Sequence, residues 1–271
     1  MKCLKLIVIL AASVAFLAAC SSNDNSTNPQ GSKNYMPNTI GTYWIQERYN
    51  LDTANNKINT EPIMDSTVVS GKETLFGKLI DSLSVFTLSG TTWQKSNNLF
   101  YYKEVPKVYM RSNILTSMIG LQNLPIQLPF TIPDTLMLVA DPDGIVWNLM
   151  TITFMEIPIN VPQFGTGKLG GSFTASEKRE LPEFVMVGTQ NMTAIKFTID
   201  LTLKCTITLD LIPIPIPIEI KRYFHIWFVE NVGLVKMYLE PTVFNLDLGT
   251  TPITFNMDGL VSTVVRYNIA P

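Results

Sequence analysis

The side chains that could take part in catalysis are few. The chain has 271 residues, one histidine, His225, and three cysteines, which are Cys3, Cys20 and Cys205. A catalytic thiol needs a nearby histidine or cation that stabilises its thiolate form. Nothing in the sequence places His225 near Cys205. We therefore predict that Cys205 is an inert residue of the core, and that His225 has a structural or surface role.

The sequence lacks the other common motifs of catalysis and metal binding. It has no HExxH motif and no His/Cys cluster with zinc spacing. Residues 165–171 (GTGKLGG) depart from the order of a phosphate-binding loop and precede a predicted strand. Residues 141–144 (DPDG) fit a plain turn better than a calcium site, which needs more oxygen ligands. We predict no catalytic residue, no metal and no cofactor. A hydrolase whose two carboxylates are brought together by the fold is the third-ranked alternative.

Cys20 lies at the end of a segment with the layout of a secretory signal. Two lysines come first, residues 6–17 are apolar apart from one serine, and two alanines precede the cysteine. The apolar stretch is too short to be interpreted first as a membrane span. We therefore expect residues 1–19 to be a signal peptide that is removed.

The sequence Leu-Ala-Ala-Cys that ends at Cys20 resembles the lipobox of bacterial lipoproteins. The resemblance implies that the Cys20 thiol carries diacylglycerol, and that its new amino group is acylated after cleavage. Several acyl chains, at ~0.8 kcal/mol per buried CH₂, would hold the protein on a membrane permanently. Because Ser21 follows Cys20 where an Asp would retain the protein elsewhere, the resemblance also implies the outer membrane. The side of that membrane stays open. The alternative, an ordinary signal peptide, would leave a reactive thiol exposed.

The segment after Cys20 predicts a tether. Residues 21–33 (SSNDNSTNPQGSK) are small and polar and have no hydrophobic period. Such a segment behaves as a flexible coil that spans ~20 Å. We place the acylated cysteine and the tether at residues 20–33, and a folded domain at residues 34–271.

Composition limits the class of the folded domain. Charged residues make up 15% of the chain and hydrophobic residues 46%, with a formal net charge of −2. The apolar content argues against disorder. The lack of a basic block argues against nucleic acid as a partner, because such proteins cluster Lys and Arg against phosphates.

Hydrophobic periodicity predicts long strands. Residues Lys196–Leu211 alternate strictly between apolar and polar side chains, which is typical of a strand with one buried face. An aromatic-rich run at Ile220–Val229, a turn at Glu230–Gly233 and a run at Leu234–Leu239 predict a hairpin partner. Further strand-like runs between turn signals are Met64–Val69, Leu79–Leu88, Leu99–Tyr102, Val108–Arg111, Ile145–Phe154, Ser172–Glu180, Phe184–Val187, Ile253–Met257 and Val261–Ile269.

These patterns predict an all-β fold. Helical period is weak throughout, and Ile114–Leu121 is the one candidate for a short helix. We predict a single antiparallel domain with long strands and at most one or two short helices. Its form would be a curved sheet or half-barrel, or alternatively a sandwich.

Three short motifs resemble a family of uncharacterised lipoproteins from Bacteroidetes. The segment Tyr35–Trp44 has the pattern aromatic-x-Pro-x-x-x-Gly-x-x-Trp, residues 187–196 contain Val-Gly-Thr and Ala-Ile-Lys, and residues 232–236 read Val-Gly-Leu-Val-Lys. The resemblance implies a curved antiparallel sheet of the kind found in periplasmic lipoprotein and lipid carriers. We interpret Gly41 and Gly233 as turn residues and Trp44 as a core anchor.

Two apolar tracts rich in proline set this sequence apart. The first lies between Arg111 and Lys168, and the second is Leu211–Ile218 (LIPIPIPI). Proline favours sheet edges and extended crossings over central strands. The tracts either complete the core, line a cavity for a lipid or other hydrophobic molecule, or contact a bilayer or protein partner. The candidate lining residues are Leu128, Phe130, Ile212, Ile214, Ile216 and Ile218.

The sequence therefore predicts a lipid-anchored envelope protein that binds a hydrophobic ligand or a protein partner without catalysis. A structural or surface-interaction module without a pocket is the alternative.

Overall fold

A computed structural model describes residues 33–118, 131–161, 165–210, 215–246 and 253–271. Two antiparallel meanders form most of this structure. The first contains β1 (Tyr43–Leu51), β2 (Ile63–Leu75), β3 (Lys78–Ser89), β4 (Thr92–Glu104), β5 (Lys107–Arg111), the short helix α1 (Asn113–Met118) and β6 (Leu136–Ala140). The second contains β7 (Val146–Val161), β8 (Gly165–Arg179), β9 (Glu183–Val187), β10 (Gln190–Leu209), β11 (Ile216–Val229), β12 (Gly233–Leu239), β13 (Thr242–Leu246), β14 (Ile253–Met257) and β15 (Gly259–Asn268).

The two meanders share one sheet. Its strand order is β6-β5-β4-β3-β2-β1-β15-β12-β11-β10-β8-β7, so the pair β1–β15 joins the halves. Strand β9 pairs with the first residues of β10, and β13 and β14 form a separate hairpin. Every described ladder is antiparallel, which confirms the predicted fold class. The sheet curves on itself, so the sandwich alternative is not the form adopted.

The sheet is nearly closed. Strands β6 and β7 end the strand order, yet they follow each other in the chain and lie side by side. The indole Nε1 of Trp147 on β7 donates a hydrogen bond to the carbonyl of Leu138 on β6 at 2.7 Å. A side chain thus bridges the two strands where the ladder is interrupted.

Alternation of side chains sorts residues between the two faces. On β10 the predicted apolar row is buried, from Phe197 (0% exposed) to Leu209 (1% exposed). Its partners follow the predicted hairpin, with Ile199 opposite Phe224 and Ile195 opposite Phe228. We call the face that carries this row the inner face. Residues Lys33–Pro271 form one compact unit around it.

Prolines lie where the ladder is open on one side. Pro217 pairs with Thr206 of β10, but β12 joins β11 only from Phe224 onward, so β11 is an edge at this point. Pro158 lies in β7, the terminal strand of the sheet. Both positions tolerate the missing N–H group, as expected for proline at edges.

Three strands were not predicted, or only in part. The first half of β4 (TWQKSNN) is polar and exposed, and β13 is only five residues long. Strand β8 begins at Gly165, although the glycine-rich run was expected to precede a strand. Its glycines permit close approach, because a Cβ atom on Gly167 would lie 2.5 Å from the Thr208 carbonyl oxygen of β10.

Within the described ranges, no helix has the length and apolar character needed to cross a membrane.

Candidate functional site

The inner face of the first meander changes from apolar to polar along its strands. The pleat points every second residue inward, so each strand contributes a short row. In one direction along the sheet, these rows are Trp44, Gln46 and Arg48 on β1, Val69, Thr67 and Asp65 on β2, and Leu83, Val85 and Thr87 on β3. The apolar residues mark what we call the sealed end, and the polar residues mark the open end.

The N-terminal segment Lys33–Thr42 closes the sealed end. Tyr35 and Met36 are 4% exposed, and the Trp44 indole donates a hydrogen bond to the carbonyl of Val232 at 2.7 Å. The Tyr101 hydroxyl donates to the carbonyl of Pro37 at 2.8 Å. These contacts confirm Trp44 as a core anchor and bring two of the three sequence motifs together.

Gly233 is required where these motifs meet. It starts β12 with φ +106°, a conformation that favours glycine. A Cβ atom there would lie 3.2 Å from the Trp44 ring and 3.4 Å from Pro37. The predicted turn role of Gly233 is confirmed, and Gly41, with φ +91°, likewise occupies the turn before β1.

A cavity of about 400 Å³ lies between the sealed and open ends. Strands of both meanders enclose it, so its walls include residues far apart in sequence. The apolar part of its lining consists of Met36, Trp44, Leu83, Val85, Leu99, Met110, Ile114, Phe224, Leu234, Met237, Leu239 and Leu260. A lining of apolar side chains with a few polar groups is typical of small-molecule sites.

Polar side chains surround the open end of the cavity. Asp65 accepts from Arg48 Nε at 2.7 Å and from the Thr87 hydroxyl at 2.7 Å. Ser96 and Asn97 are exposed and line the same end. We call Arg48, Asp65, Thr87, Ser96 and Asn97 the polar rim.

A β-bulge places two consecutive residues on this rim. Asn97 pairs with Val85 and Lys95 pairs with Phe86, so Ser96 has no partner in the β3–β4 ladder. A bulge locally breaks the alternation of the strand and redirects side chains. Ser96 and Asn97 can therefore both line the cavity.

Glu177 is an unusual residue of the inner face. It is 1% exposed, and neither carboxyl oxygen has a hydrogen-bond partner among the described residues. It lies in one cross-strand row with Trp147, Ile199 and Phe224. Burial raises the pKa of this carboxyl well above its ordinary value, because the charged form loses its hydration.

His225 lies on the opposite, outer side of β11. Its Nδ1 is 2.9 Å from the Thr198 hydroxyl, and its Nε2 is 2.7 Å from the Glu240 carboxylate. Its ring stacks on Tyr238 with centroids 5.6 Å apart. Burial lowers the pKa of His225, while the hydrogen bond to Glu240 opposes that shift. Both ring nitrogens are thus engaged within a largely buried cluster.

Cys205 is buried on the inner face at 6% exposure, as predicted for a core residue. Burial raises the pKa of its thiol to about 11, so the reactive thiolate is scarce at neutral pH. Ile218 lies opposite Cys205 on β11, 19 residues from His225's partner Thr198 along a different row. Cys205 and His225 therefore belong to opposite faces of the sheet, because positions an even number of residues apart share a face.

The turn at residues 141–144 is held by its own hydrogen bonds. Gly144 N–H donates to the carbonyl of Asp141 at 3.1 Å, and Asp143 N–H donates to the Asp141 carboxylate at 3.0 Å. Lys107 pairs with the same carboxylate at 3.1 Å. The Asp141 side chain is thus used by the turn and by a neighbouring strand.

The predicted lining residues divide between core and undescribed segments. Ile218 is 7% exposed and belongs to the hydrophobic core, and Ile216 packs against that core. Neither is among the residues that line the cavity. Cys20, Leu128, Phe130, Ile212 and Ile214 lie outside the described residues.

Sequence reasoning missed the polar rim. Arg48, Asp65, Thr87 and Asn97 come from four strands and share no motif. The available signal was the alternation on β1, where Trp44, Gln46 and Arg48 share a face and grade from apolar to charged.

Comparisons with known proteins gave two solved structures and no sequence match. No protein-family model and no curated protein matches the chain. One structure, described provisionally as a lipoprotein from Parabacteroides distasonis ATCC 8503, is 13% identical with a TM-score of 0.46, covering 88% of this chain and 100% of that one. The other, described provisionally as an exported protein with a YmcC-like fold from Bacteroides fragilis NCTC 9343, is 11% identical with a TM-score of 0.43, covering 87% and 99%. A likeness of this degree assigns no function to the chain.

Proposed function

We propose that this protein is a lipid-anchored component of the cell envelope, at the outer membrane, that holds an apolar ligand inside its curved sheet. The observation that carries the binding role is the cavity of about 400 Å³ with an apolar lining and a polar, exposed rim. Protein interiors are normally packed with few voids larger than a water molecule. A space of this size within the range of ligand pockets therefore favours a ligand.

The membrane attachment rests on the N-terminal sequence. The lipobox-like residues before Cys20 and the polar tether after it supply the basis for an acyl anchor. Metabolic labelling with a radioactive fatty acid tests this half of the proposal. We expect label on the intact protein and none on a Cys20→Ala variant. Label that persists in the variant would contradict the anchor.

The role that we propose is binding and not catalysis. The chain has a single histidine, and both of its ring nitrogens face partners within the outer cluster described above. A general base needs a ring nitrogen within reach of a substrate proton. An enzymatic activity that a folded His225→Ala variant loses would contradict this role.

The binding role is tested with the unit Lys33–Pro271, which forms its own compact body. Native mass spectrometry and solvent extraction would show whether a lipid-like molecule accompanies the purified protein. Fluorescence of the neutral dye N-phenyl-1-naphthylamine would measure occupancy of the cavity. We expect dye binding that is competed by extracted lipid.

A variant that fills the cavity completes the test. Val85 lines the cavity, so Val85→Trp should abolish dye binding while the protein stays folded. Val243→Trp is the matched control, because Val243 is 49% exposed and lies outside the cavity. Equal dye binding by the two variants would contradict a site in the cavity. It would favour the alternative of an interaction module without a pocket.

A further inference from the structure

We infer that the ligand is a single-chain amphiphile whose head group is an anion that only accepts hydrogen bonds, a carboxylate or a phosphate. This inference rests on the proposed function and concerns the same cavity. It follows from which donors and acceptors at the open end remain available to a ligand.

The donors come first. Arg48 uses Nε to bind Asp65, and its two terminal Nη groups have no hydrogen-bond partner within the part of the chain that the structure describes. Its side chain is 27% exposed, so these groups face the opening. A guanidinium group binds carboxylate and phosphate oxygens in a forked geometry.

Two amide groups add further donors. Gln46 lines the cavity one turn of the pleat below Arg48, and its Oε1 accepts from the Ser262 hydroxyl at 3.2 Å. Asn97 uses its Oδ1 to accept from the Asn98 backbone N–H at 2.8 Å. The amide nitrogens of both side chains therefore remain as donors toward the cavity or its opening.

The acceptors at this end are already used. Both oxygens of Asp65 accept protein hydrogen bonds, one from Arg48 and one from Thr87. The amide oxygens of Gln46 and Asn97 are occupied as described. A head group that donates hydrogen bonds would find no free strong acceptor on these three side chains. A head group that accepts would meet three donors.

Charge supports the same assignment. Arg48 is the one cationic side chain among the residues that line the cavity, and Asp65 is the one anionic side chain. Because Asp65 has spent both oxygens on Arg48 and Thr87, a cationic head group would need to break one of these bonds. An anionic head group would add a partner to Arg48 without displacing Asp65.

The apolar lining fixes the rest of the ligand. From Leu99 and Leu83 to Met36 and Trp44 the cavity walls are apolar, and the N-terminal segment closes the far end. An unbranched acyl chain would bury its surface there, with stabilisation of roughly 0.8 kcal/mol per CH₂ group. The chain is thus the part of the ligand that enters, and the anion stays at the rim.

The test compares twelve-carbon amphiphiles that differ only in the head group. Dodecanoate, dodecyl phosphate, dodecanol and dodecyltrimethylammonium would each displace N-phenyl-1-naphthylamine from Lys33–Pro271 at pH 8, below micelle-forming concentrations. We expect one or both anions to bind at least about tenfold tighter than dodecanol, as a charge-assisted hydrogen bond would give, and the cation to bind weakest. The tighter anion identifies the head group as carboxylate or phosphate.

A charge variant on the rim sharpens the comparison. Asn97→Asp replaces an exposed donor by a carboxylate and should weaken dodecanoate binding about tenfold, while dodecanol binding stays unchanged. Asn191→Asp, an exposed position on β10 outside the cavity, is the control and should bind as the wild type does.

The possible outcomes separate the two proposals. Equal binding of dodecanol and both anions, or tighter binding of the cation, would overturn the anionic head group and leave the cavity function standing. Failure of all four amphiphiles to displace bound dye would overturn both. Asn97→Asp that weakens all four equally would also overturn the head-group assignment.

Discussion

At the scale of single residues, Glu177 is a carboxyl group that burial keeps protonated. Its oxygens have no hydrogen-bond partner among the described residues, and its cross-strand neighbours are Trp147 and Ile199. A folded-state pKa above the ordinary value means that the folded chain retains a proton that the unfolded chain releases. The stability that depends on this proton is present below the ordinary glutamate pKa and is lost as the pH rises toward the folded-state pKa.

We predict that Glu177→Gln stabilises the protein at pH 8, because glutamine has nearly the same shape and cannot ionise. The gain in thermal stability should be a few degrees at pH 8 and should shrink toward pH 5. Thermal unfolding of Lys33–Pro271 at both pH values measures it. Glu61→Gln is the control, because Glu61 is exposed. A Glu177→Gln variant that is less stable than the wild type at pH 8 would contradict the prediction.

At the scale of elements, the N-terminal segment seals the sheet by contacts to both meanders. Trp44 binds the β11–β12 turn through Val232, and Tyr101 of β4 binds Pro37. Asn38 also donates to the Asp81 carboxylate of β3 at 3.2 Å. The segment therefore fixes the distance between two strands that the ladder connects only through β1 and β15.

We predict that Trp44→Phe lowers the free energy of unfolding by about 1–3 kcal/mol, because the Val232 carbonyl loses a buried donor. Denaturant unfolding monitored by far-ultraviolet circular dichroism measures the loss. Trp93→Phe is the matched control, because Trp93 is 40% exposed on the β3–β4 hairpin, and it should change stability little. Equal losses in the two variants would show that the hydrogen bond of Trp44 does not matter.

The elements were predictable where their patterns were local. Strict alternation over Lys196–Leu211 predicted β10 and its buried face, and the turn at Glu230–Gly233 predicted the β11–β12 hairpin. The polar first half of β4 carries no such pattern, because both of its faces are exposed. The cavity was not localised by sequence, because its rim joins Arg48 and Asn97 through the ladders of β1 to β4. Alternation gives the face of each strand and leaves the register between strands undetermined.

At the scale of the whole molecule, chain entry and cavity opening lie at opposite ends. Strand β1 runs from Tyr43 at the sealed end toward Leu51, and it passes Arg48 on the rim. The segment that begins at Lys33 packs at the sealed end through the hydrogen bond between Asn34 and Asn231 at 2.7 Å. A ligand can therefore enter at the rim without displacing the segment that follows the predicted tether.

The most direct measurement of the central claim is methyl NMR of the methionines during titration with dodecanoate. Met110 and Met237 line the cavity, whereas Met155 and Met186 are 84% and 54% exposed elsewhere on the surface. We predict intermolecular nuclear Overhauser effects from the acyl chain to the Met110 and Met237 methyl groups, and none to Met155 or Met186. Saturating ligand that contacts only the exposed methionines, or none of the four, would contradict a ligand-binding cavity in this sheet.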